Sequence, residues 1–323
     1  MKKVITGVSG FIGSNLFETL WKQDYDIIGF DKDYNAKHRL DSIIPQDIHT
    51  YHMTSNFVTK NFRMIWDDIN RISSYRYLFD DVDTVYHLAA ASDIKQSLKD
   101  TQWDFRNNIV GTFNILEMMR KQDINNIIFT STSALYGEHP PFPTLETEPL
   151  VPSSLYSASK ICAEYLVRAY NEIYGIKGVI LRFGNVVGKH QHRGVIVDFL
   201  KKLKENPKEL EILGNGQQTK SYFHVSDCVS AMLKIPEKIK KDKIETFNIA
   251  TYDQVNVNTV ANIICKELGL NPVYKYTGGD RGWKGDIPTI ALDITKACNT
   301  GWKPTYHCED AIKKAVRELN EVS

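Results

Sequence analysis

The stretch Lys3-Val4-Ile5-Thr6-Gly7-Val8-Ser9-Gly10-Phe11-Ile12-Gly13 decides the reading of this chain. A short apolar strand runs into glycines at 7, 10 and 13, and Phe11, Ile12, Leu16, Phe17 and Leu20 then recur at helical spacing as far as Trp21. Glycines let the backbone turn tightly and come close to a pyrophosphate. The helix start adds free N–H groups and the positive end of a dipole. The spacing is G-x-x-G-x-x-G rather than G-x-G-x-x-G, so its weight comes from its place at the first strand-to-helix junction.

Strand and helix patterns go on alternating outward from there. Asp26–Asp31, Arg63–Trp66, Thr84–Leu88, Asn126–Thr130 and Val179–Arg182 read as strands, while Asn107–Arg120 and Leu155–Tyr174 read as helices. That rhythm predicts an α/β fold, a doubly wound parallel sheet of Rossmann type covered by helices on both faces. Beyond about residue 185 the rhythm loosens into a smaller mixed region, with helices expected at Val195–Glu205, Thr259–Leu268 and Glu309–Leu319. Residues 33–62 are polar, hard to assign, and read as a tolerated loop insertion.

Composition narrows the function classes. The 323 residues suggest about two domains. Lys+Arg at 40 against Asp+Glu at 39 leaves a formal charge of +1, which argues against a nucleic-acid or membrane-surface protein. No apolar run is long enough to span a bilayer and the N-terminal apolar stretch is too short for a signal peptide, so a cytoplasmic protein is expected. Cys162, Cys228, Cys265, Cys298 and Cys308 show no metal-ligand or disulfide spacing and are expected as buried free thiols, with no metal site.

Three further features carry chemistry. Asp31 closes the second strand, where a carboxylate accepts hydrogen bonds from an adenosine ribose and repels a 2′-phosphate, favouring NAD over NADP. Lys32, Lys37 and Arg39 nearby keep NADP open as the alternative. Tyr156 and Lys160 stand four apart in a helix and so share a face. A phenol titrates near about 10, and an ammonium beside it favours the phenolate, making a base or acid usable near neutral pH. Thr130-Ser131-Thr132-Ser133-Ala134-Leu135-Tyr136-Gly137 places hydroxyls at the C-terminal end of a strand, the edge where open α/β sheets bind ligands.

With these residues in this order, the chain resembles the extended short-chain dehydrogenase/reductase superfamily, and within it the nucleotide-sugar epimerases of the UDP-glucose 4-epimerase kind. The resemblance spans essentially the whole chain. It implies that Gly7, Gly10, Phe11, Ile12, Gly13, Asp31, Lys32, Asp68, Ile69, Leu88, Ala89, Ala90 and Asn108 hold NAD, together with Tyr156 and Lys160. Thr132, four before Tyr136, becomes the catalytic hydroxyl beside Tyr156 and Lys160. Ser133, Asn185, Lys220, Tyr222, Arg281 and Asp286 fall on the substrate side. Lys220 stands where the family usually has an arginine, keeping the charge but losing the bidentate fork. Residues 1–184 become the NAD-binding domain, completed by part of 224–250, and 185–323 mainly the nucleotide-sugar domain.

The activity so implied is epimerisation at C4. Tyr156, assisted by Thr132, takes the hydroxyl proton while hydride leaves C4, and the transient 4-keto sugar turns over and is reduced from its other face. Sister dehydratases carry Asp-Glu after the strand-end threonine, and family decarboxylases favour a Glu in that motif. Here Ser133 and Ala134 stand there, so epimerisation fits better. A 3,5-epimerase, a C4 reductase, and a non-catalytic NAD-sensing module are the other readings. Ile290, a mid-sized residue after the final loop, predicts that N-acetylated hexoses are accepted beside glucose and galactose. The base, uridine or guanosine, is not legible. The expected partners are a small nucleotide sugar and a second copy of the chain, paired through the helices Asn107–Arg120 and Leu155–Tyr174.

Overall fold

A computed structural model describes residues 1–44, 57–58, 61–138, 140–239, 242–282 and 286–321. Its main sheet has eight strands. Taken along the chain they are β1 (Lys2–Thr6), β2 (Asp26–Asp31), β3 (Phe57–Val58), β4 (Phe62–Trp66), β5 (Val82–His87), β6 (Asn126–Thr132), β7 (Lys177–Phe183) and a last strand, Ile244–Ile249. Across the sheet the order is Ile244–Ile249, β7, β6, β5, β1, β2, β4, β3. Seven strands run parallel, and β3 pairs antiparallel with β4 at the edge. The chain thus starts in the middle, moves out through β2 and β4, and returns to the other side of β1 through β5. The reversal opens a crevice at the carboxyl ends of β1 and β5, where ligands bind in such sheets.

The chain forms two compact units. The first comprises Met1–Ser131, Ser154–Leu181 and Pro236–Thr246. Its core packs Val4, Phe30, Val85, Ile127 and Phe129 from the strands with Ile115, Leu116 and Met119 and with Ala163 and Val167 from the two long helices. The Leu155–Tyr174 helix starts and stops where its sequence dictates. Ser154 and Ser157 form a reciprocal capping box, and Gly175 takes the left-handed conformation at φ 72° that ends the helix.

The second unit comprises Thr132–Ser153, Arg182–Ile235 and Phe247–Ser323. Three short strands, Val255–Asn256, Thr219–Lys220 and Thr289–Ile290, form one small sheet, and Asn185–Val187 pairs in parallel with Tyr222–His224. Its core gathers Ile196, Phe199 and Leu203 with Val260, Ile264, Ile312 and Val316, one apolar stripe from each of three helices.

Several expectations need correcting. The helix expected over Asn107–Arg120 starts earlier, as a short turn Gln102–Asp104. It widens through a π-type stretch, Phe105–Val110, and becomes regular only at Gly111–Lys121. A 3.6-residue pattern cannot reveal such a stretch, because the inserted residue shifts the face on which every later side chain falls. Cys162 is exposed, not buried, because it lies on the outer side of its helix, and Cys298 is half-buried, whereas Cys228, Cys265 and Cys308 are buried. Within the polar 33–62 segment, a short helical pair at Tyr34–Lys37 and His38–Asp41 and the strand β3 are seen, and 45–56 and 59–60 lie outside the described residues. No helix among the described residues is long and apolar enough to cross a membrane.

Candidate active site

The glycine loop is built as tightly as its sequence requires. Gly7 has φ 72°, and a Cβ there would stand 2.8 Å from the Ala89 backbone nitrogen. A Cβ on Gly13 would meet the Gly7 carbonyl oxygen at 2.0 Å. Gly10 caps the Phe11–Lys22 helix without any side-chain bond, so the opening N–H groups at Phe11 and Ile12 face no capping side chain. Leu88, Ala89 and Ala90 follow β5 against this loop, with the Leu88 N–H bonded to the Thr6 carbonyl at 3.2 Å. Asp31 ends β2 and accepts hydrogen bonds from the N–H groups of Ser9 (3.0 Å) and Asp33 (3.1 Å). Burial raises its carboxyl above the usual range against those bonds. This cradle of glycines, helix start and carboxylate fits a dinucleotide.

Lys32 does not stand open for a 2′-phosphate. Its ammonium bonds the Asn107 side chain, lies 3.4 Å from Asp68 and stacks 4.7 Å over the Trp103 ring. Asp68 also caps the turn that Ile69 begins, accepting from the Asn70 N–H at 2.9 Å. Ile69 is buried against Gly111, where any Cβ would strike its Cδ1 at 2.3 Å.

Asn108 is 1% exposed and its amide is committed to protein partners. It accepts from the Ala91 N–H (2.7 Å) and donates to the Ala91 carbonyl (3.0 Å) and to Ser159 Oγ (2.8 Å). Asn108 thereby ties the segment after β5 to the helix that carries Tyr156 and Lys160.

On that helix Tyr156 is partly exposed and Lys160 is 3% exposed, with its Nζ 4.1 Å from the centre of the Phe129 ring. Burial draws the Lys160 ammonium down to about 7, while the charge of Glu164 pushes it upward. His87 is buried between hydroxyls, Nδ1 to Thr6 Oγ1 at 2.7 Å and Nε2 to Thr112 Oγ1 at 3.0 Å. Burial, helped by the positive charge of Lys160, holds it down at about 3, so it is a neutral imidazole.

In the second unit, Thr132 opens the turn that follows β6 and its Oγ1 accepts the Ala134 N–H at 3.2 Å, with Ser133 buried next to it. Lys220 and Asp286 form a largely buried ion pair at 2.5 Å. The other Asp286 oxygen takes the Gly282 N–H at 3.1 Å. Tyr222 is buried and bonded to the Asn185 side chain, and burial, then the charge of Asp286, pushes its phenol well above the usual range. Lys220 and Ile290 are direct partners across adjacent strands. Arg281 makes a bidentate pair with Glu138, at 2.7 and 2.8 Å. Trp283, Lys284 and Gly285 of the same loop lie outside the described residues.

Sequence reading missed Glu138, Glu164 and Ser159. Glu138 lies 143 positions from Arg281, and no local spacing announces such a pair. Glu164 falls on the buried side of a helix, where a charged residue breaks the apolar pattern, and that break was the available signal.

The model of the NAD dependent epimerase/dehydratase family matches residues 3–250. A putative UDP-glucose 4-epimerase of Methanocaldococcus jannaschii is 34% identical over 318 residues, 97% of this chain and 96% of that one. Among solved structures, UDP-glucose 4-epimerase of Thermotoga maritima with UDP-glucose is 29% identical with a TM-score of 0.86, covering 100% of this chain and 99% of that chain. UDP-glucuronic acid 4-epimerase of Bacillus cereus, in complex with UDP-glucuronic acid and NAD, is 27% identical with a TM-score of 0.87, and the match covers 100% of both chains.

Proposed function

The chain belongs to the NAD dependent epimerase/dehydratase family, and from that premise we propose that it is a nucleotide-sugar 4-epimerase. One observation carries the reading. Lys160 is buried one helical turn from the half-buried Tyr156 on the same side of the helix, so its charge favours the phenolate. Tyr156 takes the proton of the C4 hydroxyl and later returns it, and Thr132 assists from the end of β6. NAD, when bound, supplies a reversible hydride acceptor. Gly7, Gly10, Gly13 and the Phe11–Ile12 helix start hold its pyrophosphate, and Asp31 takes its ribose hydroxyls.

The substrate's diphosphate lies with Arg281, Lys220 and Asn185, and Tyr222 supports Asn185. Arg281 exchanges its bond to Glu138 for phosphate, and Lys220 shares its charge with Asp286. Remote contacts of this kind hold the nucleotide while the sugar turns. Ser133 and Ala134 supply no carboxylate for removing water, which disfavours dehydration. Ile290, beside Lys220 in the small sheet, is mid-sized and leaves N-acetylated sugars acceptable.

A second copy of the chain covers the outer face of the two long helices, which exposes Phe113, Leu155, Tyr165 and Ile173 around Cys162. Sedimentation of the purified protein as a monomer at micromolar concentration removes the dimer from the proposal.

The deciding experiment incubates the protein with NAD and a panel of UDP- and GDP-sugars, neutral, N-acetylated and carboxylated, and follows products by NMR. C4 epimers from at least one neutral sugar are expected. Release of water or carbon dioxide, or no turnover of any sugar, overturns the reading.

A further inference from the structure

Glu164 takes no part in the proposed reaction, yet it is buried deep on the helix that carries it. It is 1% exposed, one turn beyond Lys160 and flanked by the core residues Ala163 and Val167. A carboxylate in such a place is costly unless an opposite charge compensates it. The spacing 160 to 164 puts the two side chains on one side of the helix, and Lys160 is itself 3% exposed. The Phe129 ring, 4.1 Å from Nζ, also favours a cation over an amine.

The groups around Lys160 leave Glu164 as the source of that compensation. His87, from β5, is neutral between Thr6 and Thr112. Asp104 lies 3.5 Å from the Asn108 amide, which in turn bonds Ser159. Glu117 meets the helix at Tyr170, nearly three turns further on. Tyr156 gains from an ammonium and nothing from an amine, because only the charged form favours phenolate. We propose that Glu164 is a positioning residue that keeps Lys160 protonated inside the site, so that an ammonium and not an amine acts on Tyr156. No proton passes to Glu164. The proposal rests on the reading of Tyr156 and Lys160 as the catalytic pair.

The test titrates the lysine Cε signals of the full-length protein by NMR, with Lys160 assigned by its loss in Lys160→Met. Glu164→Gln is expected to lower the Lys160 midpoint by about one pH unit or more, and Glu164→Asp to restore most of it. In Glu164→Gln the alkaline limb of the kcat profile moves to lower pH by a matching amount, with KM for the sugar changing less than about twofold. A folded Glu164→Gln with an unmoved Lys160 midpoint overturns the proposal. So does an equal loss of activity at every pH, the mark of a packing role. Should Glu164→Gln fail to fold, the apolar Glu164→Leu offers a second variant: it must lower the Lys160 midpoint in the same sense, and an unmoved one is equally fatal. These midpoints are read without turnover, whereas equal turnover by wild type and Tyr156→Phe overturns the catalytic pair itself.

Discussion

Asn108 and Ser159 are joined by a 2.8 Å hydrogen bond from the asparagine amide to the serine hydroxyl, and Ser159 immediately precedes Lys160. The same amide group holds both the N–H and the carbonyl of Ala91. One side chain therefore clamps the segment after β5 to the helix carrying the reactive pair. Replacing it by Leu leaves two buried backbone groups of Ala91 without partners. Each such group costs about 1–3 kcal/mol. Asn108→Leu is expected to lower the urea midpoint and to reduce kcat more than the loss of folded protein explains. An unchanged midpoint rejects the clamp.

Gly13 tests the loop by addition instead of removal. A methyl group there meets the Gly7 carbonyl oxygen at 2.0 Å, and backbone cannot yield as a side-chain tip can. The loop must open, and with it the N–H array at the helix start. Gly13→Ala is expected to remain folded by circular dichroism and to lose NAD affinity by at least about tenfold, a step of about 1.4 kcal/mol. Retained affinity in a fluorescence titration contradicts the assignment of this loop to the pyrophosphate.

What could be read in advance follows from how far each signal reaches along the chain. The Val195–Glu205 and Leu155–Tyr174 helices carry apolar periodicity and local end signals, and their ends agree with the structure to the residue. The widened Phe105–Val110 stretch does not announce itself, because its hydrogen bonding departs from the spacing being counted. Pairs made across the fold leave no local trace at all. Arg281 was legible as a cation in the final loop, but its bond to Glu138 joins segments 143 positions apart. Lys220 was legible as a charge, while its burial against Asp286 depends on a small sheet whose strands are two residues long.

Cofactor choice follows from Asp31 and Lys32 together. Asp31 is half-buried and fixed by the Ser9 N–H, so a 2′-phosphate meets a carboxylate there, and Lys32 is occupied by Asp68, Asn107 and Trp103. NAD is expected to bind at least about tenfold more tightly than NADP. Asp31→Asn narrows that ratio mainly by relieving repulsion of NADP. Equal affinities in the wild-type protein reject the role given to Asp31.

Acid stability of the second unit turns on Glu318. Its carboxylate accepts the Lys189 N–H at 2.8 Å and lies 3.0 Å from His224 Nε2 and 2.9 Å from Lys314. Burial pushes the carboxyl upward, but His224 and Lys314 more than offset it and hold it at about 2. The unfolded chain releases this proton near about 4.3, so between those values the unfolded state binds more protons and stability falls as pH falls. The contribution is complete above the unfolded value and gone once pH drops through the folded one. Glu318→Gln cannot titrate. Its urea midpoint is expected to be lower than wild type at pH 7, with the gap closing on acidification from pH 5 to pH 2. A gap that stays constant over that range shows that Glu318 acts through packing and not through its charge.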